Sequence, residues 1–270
     1  VQGGRVRTTG AQNTVNLSGV DGSGTAYLIG GSGSQVTFND SNTLEGGLVL
    51  LETGTAGLIS AGATLNFAGT IIAQQSTFTI ADTASLLLTQ STNILGGGNG
   101  GDSLIVLGGA DALIGTTAAL QAGIGHVDLG IDDVVLTGSG TIGDAWVNLA
   151  TGPFGQILVN AGNTITVRAF DFSNNGLVDV NGGTLEVLGT RLANVGDVQV
   201  RQNGNLNIAG DFDNFNTATI QSGTVNVGGK TGNDGTIIVA EAGNLIIAGD
   251  LGDGGPGGAV RIDGGTVEVG

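Results

Sequence analysis

Hydrophobic and polar positions alternate along this chain in short stretches, and the stretches return. Five phrases led by Gly183, Gly204, Gly223, Gly243 and Gly265 carry the apolar pairs Leu185/Val187, Leu206/Ile208, Val225/Val227, Leu245/Ile247 and Val267/Val269. A period of two marks a strand with one buried face. A second alternating pair precedes each phrase: Val178/Val180, Val198/Val200, Ala218/Ile220, Ile237/Val239 and Val260/Ile262. Before that pair comes a corner, Asn174-x-Gly, Asn194-x-Gly, Asn214-x-Asn, Asn233-x-Gly and Asp253-x-Gly. Two residues before each corner stands a plug position, held by Phe172, Leu192, Phe212, Thr231 and Leu251. A rung of roughly 20 residues therefore reads plug, corner, strand, glycine turn, strand, glycine turn.

One rung of two short strands cannot bury its own apolar face. Stacking rungs at ~4.8 Å pairs each strand with its copies above and below and joins the apolar residues into continuous ladders. Asn suits the corner because it tolerates left-handed backbone and can bond along a stack. The pattern predicts an all-β fold, a parallel β-helix (β-solenoid) of about 13 rungs. Residues 1–270 read as a single continuous solenoid, with irregular rungs over 1–160 and regular ones over 161–270. Phe172 and Phe212 fall on the inward ladder and read as core. In the first half, 63–69, 76–80, Val36/Phe38 and Val15/Leu17 alternate in the same way, whereas the apolar run 57–62 is ambiguous. The stretch TTAALQA at 116–122 is the best run of helix formers and predicts a helical insert.

Composition narrows the function. Gly is 54 of 270 residues, so turns and close backbone approaches are frequent. With only 2 Pro and no Gly-X-Y period, collagen is excluded. No apolar run is long enough to cross a membrane as a helix. A net charge of −16, with seven scattered Lys and Arg, argues against nucleic acid as a partner. The absence of Cys removes disulfides and thiolate metal sites. A Cys-free, Lys-poor, Gly/Asn/Thr-rich chain suits the exterior of a bacterium. Residue 1 is Val and no signal peptide is visible, which reads as a processed chain or a fragment.

Over residues 160–270 the phrase G-[TN]-[LV]-x-[VI]-x-G, alternating with N-x-G-x-[VI]-x-[VI], resembles the rungs of filamentous-haemagglutinin-type adhesins and autotransporter passengers. The resemblance implies a right-handed parallel β-helix secreted by a Gram-negative bacterium. A second, local resemblance lies at Gly97-Gly-Asn-Gly-Gly-Asp102-Ser-Leu104-Ile, which is similar to the repeats-in-toxin nonapeptide at every fixed position. Asp111-x-Leu113, preceded by Gly109, repeats part of it nine residues later, and Asn93-x-Leu95 repeats less of it nine residues earlier. That resemblance implies Ca²⁺ held by Asp102 and Asp111. The other reading is a Gly-rich bend with a turn-forming Asp.

Enzymatic β-helices need clustered carboxylates, often with a basic partner, on one outward ladder. Asp132 and Asp133 are adjacent and would point to opposite faces of a strand. Asp179 with Glu186, and Asp263 with Glu268, stand among Thr and Asn, and Arg168, Arg191, Arg201 and Arg261 are scattered. His126 is the single histidine and reads as a surface residue. Trp146 and Tyr27 read either as core or groove filling, or as an aromatic platform for a sugar. Ile238 and Ile246 occupy outward positions that other rungs give to polar residues, which predicts a small apolar patch and a lateral partner contact.

These features predict a non-enzymatic secreted bacterial structural or adhesive surface protein. It would be a filament subunit assembling end to end through strand stacking, or a segment of a longer fibrous adhesin, with a host or cell-surface ligand and no cofactor. The alternatives are a calcium-dependent surface-layer or adhesin module and a polysaccharide-processing β-helix.

Overall fold

The computed structural model describes residues 5–7, 14–19, 21–22, 27–97, 103–121, 126–252 and 257–270. Apart from a four-residue helix, α1 (Ala118–Gln121), its regular elements are strands, and every strand pairing is parallel. The strands form a β-solenoid of about 11 turns. At ~4.8 Å per turn the stack is about 50 Å long.

Each turn has three strands rather than the two read from the pattern. On the first face Leu177–Asn181 stacks on Gln156–Asn160 and beneath Asp197–Arg201. On the second face Thr184–Val187 lies between Thr164–Val167 and Gly204–Ile208. The third face is the plug and corner: Asp171–Asn174 pairs with Val147–Thr151 and with Arg191–Asn194. The plug Phe172 and the corner Asn174 both point inward and are fully buried. Their period of two was hidden because one of the two inward residues is an amide.

The corner asparagines form a buried hydrogen-bonded ladder. Thr151 Oγ1 donates to Asn174 Oδ1 at 2.7 Å. Asn174 Nδ2 donates to Asn194 Oδ1, Asn194 Nδ2 to Asn214 Oδ1, and Asn214 Nδ2 to Asn233 Oδ1, each at 2.8 Å. The same amides also reach the carbonyls of Asp197, Thr217 and Thr236 on the next coil. Asn233 ends the series on the Ala259 carbonyl at 3.0 Å. A buried polar group left unpaired is costly, so each asparagine requires its copy one coil away.

In the first half the residues stacked in line with Asn174 are apolar, Val49, Ile71, Ile94 and Ile131, and buried hydroxyls stand instead at the residue before the first face. Thr55 Oγ1 donates to the Gly31 carbonyl at 2.9 Å, Ser76 Oγ to Leu51 at 3.4 Å and Ser103 Oγ to Ala73 at 2.5 Å, all three residues being buried. These residues stand just before the first-face strands Ala56–Ile59, Thr77–Ile80 and the stretch 104–108. Val134 and Gly155 hold the equivalent place as the asparagine ladder begins.

The count of about 11 turns, rather than 13, follows from longer coils in the middle of the chain. Corner contacts join residues 19 or 20 apart in the second half, but 28 apart from Gln75 to Ser103 and from Thr116 to Asp144. The surplus leaves the coil at two register breaks, between Leu88 and Thr92 and between Gly108 and Leu113, and in the insert that carries α1. The helical insert expected at 116–122 is therefore present as one turn.

The run 57–62 forms the strand Ala56–Ile59 with Gly57 inward. A Cβ on Gly57 would meet the Phe78 ring at 2.4 Å, and Phe78 stacks edge-on to Phe38 at 6.5 Å. The aromatic residue of the next coil fills the space that Gly57 leaves, which is why the run lacked an inward apolar residue at that place. Between the first and second faces the chain turns through left-handed residues, among them Gly182 (φ 80) and Asp40 (φ 56).

Two substitutions test the corner and the plug. Asn194→Leu strands the Asn174 amide and the Asn214 carbonyl oxygen, and we expect a loss of about 2–4 kcal/mol by denaturant unfolding. The same change at exposed Asn205 should cost under ~0.5 kcal/mol. Thr231 occupies the plug column between Phe212 and Leu251 with its hydroxyl buried and unpaired. Thr231→Val removes that polar group at equal volume and should stabilise by about 1 kcal/mol.

Candidate functional site

The carboxylates considered for catalysis do not meet. Asp179 lies on the first face, buried, with its carboxylate closed by both nitrogens of the Arg201 fork at 2.9 and 2.5 Å. Glu186 lies on the second face and accepts from Thr166 Oγ1 at 3.3 Å. Asp263 pairs with Arg261 at 2.9 Å, whereas Glu268 stands on the next face. Asp132 and Asp133 do not share a strand face, because Asp133 (φ 55) turns the chain. Asp132 Oδ1 instead accepts the Asp133 and Phe154 amides at 3.0 and 3.1 Å.

Asp102 lies outside the described residues. Asp111 is exposed, and its amide donates to Asp82 Oδ1 at 3.0 Å. A Cβ on Gly109 would meet that same oxygen at 2.2 Å, so the Gly109–Asp111 bend is built around the Asp82 carboxylate. Among the described residues no three His, Cys, Asp or Glu side chains gather as a metal site would require. Ile238 is half-buried on the first face and Ile246 is 38% exposed on the second, at either side of the turn through Glu241 and Ala242. Their register neighbours are Thr219 and Arg261, and Asn226 and Glu268. The Tyr27 side chain lies outside the described residues.

The third face carries the most organised surface. Register brings Asp128, Asn148, Asp171, Arg191 and Asp211 into one outward column, and Lys230 and Asp250 continue it one residue before the paired positions. From Asp171 to Asp250 the charge alternates at every coil. Arg191 donates to both Asp171 oxygens at 3.1 and 3.0 Å and reaches Asp213 at 3.4 Å. Asn148 Nδ2 donates to Asp128 at 3.1 Å, and the Lys230 amide to Asp211 at 2.8 Å. Copies stacked in register would repel if their charges matched, so alternation suits a parallel ladder. Such exposed pairs each contribute little, roughly 0.2–1 kcal/mol. Beside this column runs a second one of small side chains, Gly130, Ala150, Ser173 and Ala193.

Exposed apolar residues flank the same face. Phe154, Val195 and Phe215 occupy the turn that leaves it, while Phe170 and Leu188 occupy the turn that enters it; all five are 43–69% exposed. At the entering turn His126, exposed, sits 4.4 Å from the Phe170 ring and 6.0 Å from the Trp146 ring, centroid to centroid. Asp144 fixes this turn: its Oδ1 accepts the Trp146 amide at 2.9 Å, and its Oδ2 accepts the Thr116 amide and hydroxyl at 2.9 and 2.6 Å. Trp146 is half-buried. Neither Asp144 nor the exposed turn aromatics stood out in the sequence, because no repeat marks them.

Hydrogen bonding to Asp171 raises the Arg191 guanidinium above its ordinary value, and hydrogen bonding to Asp179 does the same for Arg201. A raised cation contributes stability that is complete below its unfolded pKa and is lost only as pH rises through the folded value, so raising the pH from neutral into the mildly alkaline range should leave these contributions intact. The Asp179–Arg201 pair is uneven, with Asp179 almost enclosed and Arg201 39% exposed. Arg201→Ala leaves a buried carboxylate alone and should cost about 2–3 kcal/mol. Asp179→Ala frees a cation that water can reach and should cost about 1 kcal/mol or less. Urea melts of the two variants check this order.

No protein-family model matches the chain, and no curated protein matches it. Among solved structures, the chain is similar to a crystal structure of a TibC-catalysed hyper-glycosylated fragment of TibA. The identity is 15%, the likeness covers 100% of this chain and 96% of that one, and the TM-score is 0.41.

Proposed function

We propose that this chain is a non-enzymatic, secreted bacterial structural or adhesive surface protein, a rod-like segment of a fibre that makes its contacts through its sides. The observation that carries the reading is the third face, where a charged column runs coil after coil beside small residues and exposed apolar side chains, on a core locked by buried hydrogen bonds. Such a surface suits extended contact rather than turnover. Two hollows among the described residues fit this reading. One of about 380 Å³ is lined by Thr43, Glu45, Asn66, Leu87, Thr89 and Thr117, and one of about 200 Å³ by Phe154, Gln156, Leu177 and Asp197 with neighbouring residues. Each holds one carboxylate and no histidine, lysine or arginine.

Among the described residues, Arg5–Arg7, Thr14–Ser18 and Asp21–Gly22 at one end and Leu251–Gly252, Ala259–Asp263 and Thr266–Val269 at the other pair on one side only. A further coil of the same kind, from the same polypeptide or from a second copy, would continue the fibre by parallel pairing. Ile238 and Ile246 add a lateral contact to the proposal.

The test is adherence together with microscopy. Beads coated with the chain should bind cell surfaces, and negative-stain images should show rods or fibres in the presence of EDTA as in its absence. Failure of the beads to adhere would remove the adhesive role. A melting temperature that falls steeply on chelation would favour a calcium-dependent module and return attention to Asp102 and Asp111. Ile238→Asp with Ile246→Asp should reduce lateral bundling of the rods, and unchanged bundling would remove that contact.

A further inference from the structure

We infer that the third face, over the coils from His126 to Phe215, is a binding surface for an extended neutral glycan. The inference deepens the adhesive reading by naming its ligand class, and it rests on that reading for its biological sense.

The exposed aromatic residues are not required by the fold. Neighbouring coils fill the same turn positions with Asn175 and Thr190, whose side chains bond to the Thr151 and Phe170 carbonyls without leaving apolar surface in water. The chain has one Trp, one Tyr and eight Phe. Trp146 and three of those Phe nevertheless stand at the two edges of this face, with His126 between Trp146 and Phe170. Aromatic faces offer large apolar contact to the C–H faces of a sugar ring, at little cost in conformational freedom. Between the edges, the column Asp128, Asn148, Asp171, Arg191 and Asp211 presents carboxylate, amide and guanidinium groups paired along the column, whose remaining donors and acceptors face hydroxyls. The small residues Gly130, Ala150 and Ser173 keep the floor beside that column low. The coils repeat at ~4.8 Å. A sugar chain lying along the axis advances about one residue per coil, so a linear glycan meets one polar group of this column at each step.

Other occupants fit less well. An anionic chain, whether nucleic acid or polyuronate, meets a protein of net charge −16 and a face rich in carboxylates. An extended peptide would need backbone partners, but the strands here already pair with coils on both sides. A second copy brings the same negative charge.

The experiment is calorimetric titration of the full chain with maltohexaose, cellohexaose, laminarihexaose and, as an anionic control, a hexagalacturonate, with Trp146 emission recorded alongside. We expect saturable binding of at least one neutral hexasaccharide and a shift in the emission of the single Trp. Phe170→Ser and Phe215→Ser should each weaken binding about tenfold, with the melting temperature unchanged. Three results would overturn the proposal: no binding by any neutral hexasaccharide, tighter binding of the anionic one, or wild-type affinity in the double variant. A dimer in sedimentation that dissolves in the double variant would assign the face to a second copy and equally overturn it. Bead adherence separates the two readings. Adherence that survives in the double variant keeps the adhesive role and removes the glycan from it. Loss of adherence by the wild-type chain removes the adhesive role whatever sugar it binds.

Discussion

Parallel stacking without offset places every residue above and below its own equivalents, and this constraint governs the molecule. A core column can then be completed only by neighbours, so no coil is stable alone. Inside, Val178, Val198, Ala218 and Ile237 form one column and Leu185, Leu206, Val225 and Leu245 another. Apolar contact of this kind is not directional and tolerates a small shift. The buried asparagine ladder tolerates none. Each amide needs one oxygen from the next corner and offers one to the corner before, so displacing a coil leaves buried donors and acceptors empty.

The same constraint acts on the outside. A residue on the third face touches its counterpart a coil away, so charges must alternate or be diluted. The series Asp171, Arg191, Asp211, Lys230, Asp250 alternates. On the first face Asp179 is neutralised by Arg201 from the following coil. A strongly acidic chain can therefore stack because its few cations stand where stacked carboxylates would otherwise meet. This repetition is also what makes the side of the rod useful, since a motif placed once per turn becomes a row.

How much of this was legible depended on whether the repeat stayed regular. The alternation of Val178/Val180 and Leu185/Val187, returning at fixed spacing, identified two faces, the inward plugs and the parallel solenoid. The third face was read as a corner because Asn174, Asn194 and Asn214 are polar, and a period of two read from apolar residues cannot include them. The buried hydroxyls of Thr55, Ser76 and Ser103, each bonded to a carbonyl of the coil before, were invisible for the same reason. Gly57 concealed a strand because its inward space belongs to Phe78 of the following coil. The candidate site was harder to see. Phe154, Phe170 and Phe215 stand in turns at unlike offsets, and only the fold brings them to the edges of one face. Asp179 and Glu186 looked like partners along the chain, but the turn between them sends them to different sides.

In the second half of the stack, a single buried, one-directional amide ladder sets the register of the coils. Hydrogen exchange of the side-chain amides of Asn174, Asn194 and Asn214, followed by NMR, tests it most directly. If each amide is held between corners and closed from water, these protons should exchange only when the coils themselves open, as slowly as the backbone amides of Val178 and Val198 beside them. Exchange as fast as that of the exposed Asn205 side chain would show that the corners are open to water and that apolar packing alone holds the stack.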